Sequence, residues 1–130
     1  MPELSQNFEF TINSASTVQV DHPAASTVVT YTSESRKGDG YYKGGDAFHT
    51  VEIKLDDFIG NIKFQGSLAQ EPADSDWFDV TLEGQASADL EYTNGTSEAK
   101  LYNMIGNFVY VRVVVSNFTQ GTISYIRMNY

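Results

Sequence analysis

Two imidazoles, His22 and His49, are the only histidine side chains this 130-residue sequence offers as neutral bases or nitrogen ligands for a metal. Nucleophilic or acid–base catalysis needs such a base within hydrogen-bond reach of its partner, with a third group holding it in place. His22 stands before Pro23 in a turn-like stretch from Asp21 to Ala24, whereas His49 shares the parity of Val51 and Ile53. That parity places His49 on the inward side near a strand start, where a structural role is expected. Neither histidine belongs to an H-x-x-H or H-E-x-x-H spacing, so no zinc centre is expected. The serines lack a G-x-S-x-G elbow, and the glycines around Gly44 lack the G-K-[ST] ending of a phosphate loop. The absence of cysteine removes thiol nucleophiles, thiolate ligands and disulfides together.

Carboxylates are the more plentiful chemistry. Glu71, Asp74, Asp76 and Asp79 fall within one short span, and oxygen ligands of this kind suit calcium. Their spacing is not that of an EF-hand, and no glycine occupies the position where that loop turns. The simpler expectation is a turn in which Pro72 fixes φ, Asp74 and Ser75 bond the backbone, and Trp77 re-enters the core. No cofactor, no metal and no enzymatic activity are therefore expected. The formal charge of −9 and a pI near 4.4 would repel phosphate backbones and anionic lipid, which argues against nucleic acid and membrane as partners. The opening MPELSQNFEF has neither a basic region nor an apolar run, so no secretory signal is expected.

The elements that would position these groups repeat every two residues. Val51, Ile53 and Leu55 alternate with Glu52 and Lys54; Ile62, Phe64 and Leu68 share one parity, as do Val109, Val111, Val113 and Val115. This alternation predicts strands with one buried face. Further strands are predicted at Asn7–Ile12, Thr17–Val20, Ser26–Thr32, Trp77–Leu82, Ala99–Ile105 and Thr122–Tyr130. In the last, Ile123 and Tyr125 lie on one parity and Ile126, Met128 and Tyr130 on the other, which predicts a bulge or burial on both faces. Asn94-Gly95 reads as a hairpin turn, Gln120-Gly121 as the break between the last two strands, and Ile105-Gly106-Asn107 as the start of the penultimate one. The fold class is all-β, a single antiparallel β-sandwich or jelly-roll-like domain over residues 1–130.

One segment departs from the alternation. Ser33–Asp46 is rich in glycine and carries Arg36, Lys37 and Lys43, three of the chain's eight basic residues. It reads either as a long solvated loop or as a docking arm, with Arg36, Lys37, Tyr41, Tyr42 and Lys43 as its candidate protein-interaction residues.

From Asn61 to Val80 the chain resembles a strand–turn–strand unit of small β-sandwich modules in phage virion proteins, and more loosely of discoidin-like sandwiches. Gly66, Ser67, Leu68, Trp77 and Phe78 carry that likeness. The closing stretch is similar to the same modules' final hairpin at Gly106, Tyr110, Val111, Arg112, Val113, Gly121, Thr122 and Ile123, so the resemblance spans about Phe58 to Tyr130. It implies a sandwich with Gly66 packed under Trp77, and a non-enzymatic virion structural protein. Capsid decoration (cement) on the major capsid protein is the leading form of that role, followed by a tail, neck or baseplate component. Such a protein would be a homo-oligomer, with a trimer favoured, soluble in the host cytoplasm before assembly into the virion. A carbohydrate-binding module is the other reading, and would need exposed aromatics, for which Tyr41, Tyr42, Tyr92 and Tyr102 are the candidates. No convergent loop set of Asp, Arg and aromatic residues marks a sugar pocket, so sugar is not the favoured ligand.

Overall fold

The computed structural model describes residues 7–12, 18–23, 28–42 and 47–130, with the backbone alone at 7, 8 and 42. Eight strands form among them: β1 (Asn7–Glu9), β2 (Val20–Asp21), β3 (Val29–Thr32), β4 (Arg36–Lys37), β5 (Phe48–Ser67), β6 (Phe78–Val80), β7 (Leu90–Ile105) and β8 (Tyr110–Asn129). All pair antiparallel in one sheet. β5 and β8 lie side by side at its centre. The four short strands β1 to β4 line the far edge of β8, while β6 and β7 line the far edge of β5. No helix among the described residues is long and apolar enough to cross a membrane.

The alternating runs are strands, as expected, but several are joined. Val51–Leu55 and Asn61–Ser67 belong to one strand of 20 residues, and the runs on either side of Gln120-Gly121 belong to another of 20. A straight strand of that length would reach about 66 Å at 3.3 Å per residue. A compact domain of 130 residues has a radius of gyration of about 14 Å. The long strands must therefore fold over, and ring contacts show that they do. Phe10 continues the β1 ladder opposite Ile126, yet its ring lies 6.4 Å from that of Phe64, whose partner on β8 is Val113. The sandwich is thus one sheet folded upon itself. Both halves of β5 and β8 feed the same core: Val51, Ile53, Leu55, Ile62 and Phe64 meet Val111, Val113, Val115, Ile123, Ile126 and Met128.

The fold line runs through Asp57. Its φ is +53°, and nearby Asn117 and Gly121 have φ of +52° and +89°. Extra residues on the flanking strands accommodate the bend, as β-bulges do. While β5 advances from Ile59 to Asn61, β8 runs from Gln120 to Ser116; while β5 advances from Phe58 to Gly60, β7 runs from Thr96 to Tyr92. The Asn94-Gly95 pair accordingly lies inside β7 and makes no hairpin, and Gln120-Gly121 lies inside β8 and separates nothing. Both dipeptides press against Asp57: a side chain at Gly95 would strike its carboxylate, and one at Gly121 its backbone carbonyl. Ser97 Oγ accepts the Asp57 N–H at 2.9 Å and donates to Asp56 Oδ1 at 3.2 Å. Beneath the corner, the buried rings of Phe58 and Phe118 stand 5.2 Å apart. The bulge expected near the chain's end is present, where the register slips between Lys54 and Leu55 and burial switches from Ile123 to Ile126.

Trp77 does not enter the core. It is half-buried beneath the Arg112 guanidinium, 4.4 Å from the ring centre, and Arg112 Nε donates to Gln65 Oε1 at 2.8 Å. Gly66 makes its close approach to the ring of Phe108, and not to Trp77.

Replacing Gly121 by alanine adds left-handed strain and a clash with the Asp57 backbone, so it should cost about 3 kcal/mol. Gly84 has a similar φ of +83° but open space around it, so alanine there should cost only about 1 kcal/mol. Denaturant midpoints of the two variants check the contrast.

Candidate functional site

Most of the described part of the glycine-rich segment is laid onto the sheet. The buried Ser33 donates its N–H to the Val113 carbonyl at 2.9 Å, and its Oγ accepts the Val113 N–H at 2.8 Å. β4 then pairs with β8, and the amides of Gly38 and Gly40 bond the carbonyls of Val109 and Phe108 at 2.9 and 2.8 Å. Side chains at Gly38 or Gly40 would overlap the 107–108 backbone, which is why glycine stands there. Arg36 serves this clamp: Nη2 donates to the Glu9 carbonyl at 3.1 Å and Nε to Glu34 Oε1 at 3.2 Å. Lys37 and Tyr41 do come together at the surface. The ammonium lies 4.3 Å over the Tyr41 ring, which meets Tyr110 edge-on at 5.7 Å. Lys43 and the side chain of Tyr42 lie outside the described residues.

His49 occupies the expected inward position and is wholly buried. Its Nε2 accepts the Asp39 N–H at 3.0 Å, while Asp39 Oδ2 accepts the Ala47 N–H at 2.8 Å. The imidazole therefore ties the two ends of the 39–47 connection to β5. With Nε2 accepting, the neutral ring carries its proton on Nδ1. That atom makes no hydrogen bond of good geometry, and the Met104 backbone across the ladder is the polar group facing it. Burial pushes the imidazole pKa down from its ordinary value, with Asp39 acting in the opposite direction. His22 packs edge-on against Phe118 at 5.1 Å. The acidic span disperses as well: Asp76 caps its own short turn through the Ala73 N–H, and Asp79 accepts from Gln65 at 2.9 Å. Among the described residues no three His, Asp or Glu side chains converge as metal ligands.

What the described surface presents is apolar contact area. Phe48 and Ile105 face each other across the β5–β7 ladder, exposed, with Leu101 exposed on the same outward parity of β7. At the other end of β5, Leu68 and Phe78 are 72% and 69% exposed. They flank an open groove of about 640 Å³, completed by Gly66, Ala69, Asp76, Asn107 and Phe108. Aromatic and aliphatic side chains around such a concavity are suited to anchoring a partner. The alternation placed Leu68 on the buried parity of Ile62 and Phe64, but β5 ends at Ser67 and Leu68 turns outward. The other residues were not singled out as contacts, although the outward parity of Phe48 was open to view beside Glu52 and Lys54. Two proposed sugar-stacking aromatics point elsewhere. Tyr102 is buried, and Tyr92 is half-buried, 5.6 Å from and edge-on to Phe58.

No family model matches the chain, and no curated protein matches it. Among solved structures, the SPBc2 prophage-derived protein YomS shares the fold with a TM-score of 0.51 and 14% identity. That likeness covers 100% of this chain and 98% of that one. A weaker likeness, with a TM-score of 0.41 and 11% identity, is to the crystal structure of reduced XRCC1 bound to the DNA pol beta catalytic domain. It covers 78% of this chain and 72% of the other.

The His49 environment predicts a pH response of stability. Its folded pKa lies below the unfolded value of 6.5, so the unfolded chain binds the proton more tightly. The contribution is complete above pH 6.5 and is lost as the pH falls through the depressed folded value. A His49→Gln variant should therefore lose stability less steeply than the parent below pH 6.5, as read from urea midpoints across that range.

Proposed function

We propose that this chain is a non-enzymatic structural protein of a phage particle, acting as a capsid decoration (cement) protein packed against the major capsid protein. The observation that carries this reading is the end-to-end likeness of fold to a prophage-derived protein, which spans 100% of this chain. The residues from Phe58 to Tyr130 that resemble virion sandwich modules support it independently.

The surface fits such a role. A particle component binds through exposed apolar side chains set among polar ones, and the Leu68–Phe78 groove offers that arrangement. The net charge of −9 favours a basic patch on the partner. The Lys37–Tyr41–Tyr110 cluster supplies a second contact on the same chain, and there the basic residue inverts the local sign.

Particles purified from a lysogen that encodes the chain provide the test. Mass spectrometry should find the chain at a fixed ratio to the major capsid protein, and immunogold labelling should mark the heads. Gold confined to tails would replace decoration by the tail reading. A chain abundant in the lysate but missing from purified particles would overturn both. A Leu68→Asp, Phe78→Asp double variant alters exposed positions only, so it should fold and yet be incorporated about tenfold less.

A further inference from the structure

Among the described residues a stretch of the outer edge of β7 has no strand beside it, and its hydrogen-bond parity follows from two contacts. The Ile126 carbonyl accepts the Phe10 N–H at 2.9 Å, so Ile126 turns its backbone groups away from β5. Its antiparallel partner Ile53 must then turn its own groups toward β7, where it bonds Lys100. Lys100 bonds inward, and its neighbours Ala99 and Leu101 aim their N–H and C=O groups at the outer edge. The same parity puts the Asn103 carbonyl outward, and the Glu83 N–H takes it there at 2.8 Å. Among the described residues, β7 pairs with β5 alone, and the outer backbone groups from Ser97 to Leu101 bond nothing.

We propose that this edge is a self-association site, at which two copies of the chain pair antiparallel about a twofold axis through Ala99. The charges select the partner and the register. Lys100 and Glu98 lie opposite Ile53 and Leu55 on the inward parity of β7, yet both are exposed. A lysine on that side of an edge strand normally prevents pairing, because a neighbouring strand would strand the charge. Glu98 changes the outcome. With the axis at Ala99, Glu98 of each copy opposes Lys100 of the other, and both pairs form at once. Ala99 then opposes its own copy as a hydrogen-bonded pair, as its outward backbone requires. Leu101, 66% exposed, comes to lie against Ser97 and Ala99 of the second copy.

The neighbouring registers fail on the same grounds. An axis at Lys100 would still use the outward groups of Ala99 and Leu101, but it sets the two ammonium groups against each other as a non-hydrogen-bonded pair and leaves Glu98 opposite Tyr102 instead of a lysine. An axis at Leu101 requires the Asn103 carbonyl that Glu83 occupies. The resulting assembly is a continuous sheet across two copies, closed at two, which differs from the trimer expected from the sequence.

Sedimentation equilibrium of the full chain and two charge variants tests the pairing. The parent should show a concentration-dependent monomer–dimer equilibrium. Glu98→Lys should raise the dissociation constant about tenfold or more by replacing both attractive pairs with repulsive ones. Adding Lys100→Glu to that variant restores opposite charges and should return the dissociation constant to near the parent value. An Ala99→Cys variant should form a covalent dimer on mild oxidation, since antiparallel partners at the axis lie about 5.5 Å apart at Cα. A parent monomeric at every concentration, or an oligomer indifferent to Glu98→Lys, would overturn the proposal. Either result leaves the virion reading standing, because particle incorporation is read separately.

Discussion

The whole architecture depends on β5 being bent so far that its two ends meet the same ring. His49, near its start, lies 6.0 Å from the ring of Phe108. At the other end, Gly66 has no side chain because that ring occupies the space, and the Ser67 carbonyl accepts the Val109 N–H at 2.9 Å. Phe108 therefore fastens the open end of the folded sheet, while Asp57 and its glycine neighbours form the closed end. Between them the inward rows of β5 and β8 face their own continuations and supply most of the core, which Phe10, Ile12, Val20, Val80, Leu82, Leu90, Tyr102 and Met104 complete from the flanking elements. A β-branched or larger side chain at Gly66 or Gly106 would displace the ring and part the layers.

That economy decides what the surface can offer. Because β5 and β8 each serve both layers, the remaining strands along their edges are mostly short, and β1 to β4 take turns along β8. The segment from Ser33 to Tyr42 is drawn into that edge and held by Ser33, Arg36, Asp39 and His49, which limits how far it can act as an arm. β7 is the exception in length. Its far half runs past the point where Glu83 and the buried Leu82 close the side of the sandwich, and among the described residues nothing pairs with that edge. The apolar groups outside the core gather at the same margins: Phe48, Leu101 and Ile105 beside β7, and Leu68 and Phe78 at the mouth of the groove. Many of the described polar side chains hold bends and connections, and exposed apolar groups border the sheet edges.

Much of this was legible in the residues. The rows Val51–Ile53–Leu55 and Val111–Val113–Val115 face the core as their alternation predicts, and the parity change between Ile123 and Ile126 marks a real bulge. His49 was correctly read as an inward structural residue. Trp77 was not legible: size and hydrophobicity suggested the core, but a guanidinium stacked on its face provides an alternative cover at the surface. The aromatic pair Tyr92 and Tyr102 misled in the opposite direction. Tyr102 shares the inward parity of Met104 and lies opposite Val51, whereas the place of Tyr92 opposite Gly60 follows from the bulged corner.

The sequence by itself determined the period-two burial and the all-β class, because which side of a strand a residue faces is set by its immediate neighbours. It also marked two positions where the chain needs glycine, Gly121 for its φ of +89° and Gly95 for the close approach of the Asp57 carboxylate. Whether such a position reverses the chain or bends it was decided only by the tertiary structure. A glycine pair makes a hairpin when its two flanking strands bond each other; here those flanks bond β5 instead, on either side of Asp57. The same local freedom then becomes a bulge at a shared corner, and only the long-range pairing separates the two outcomes.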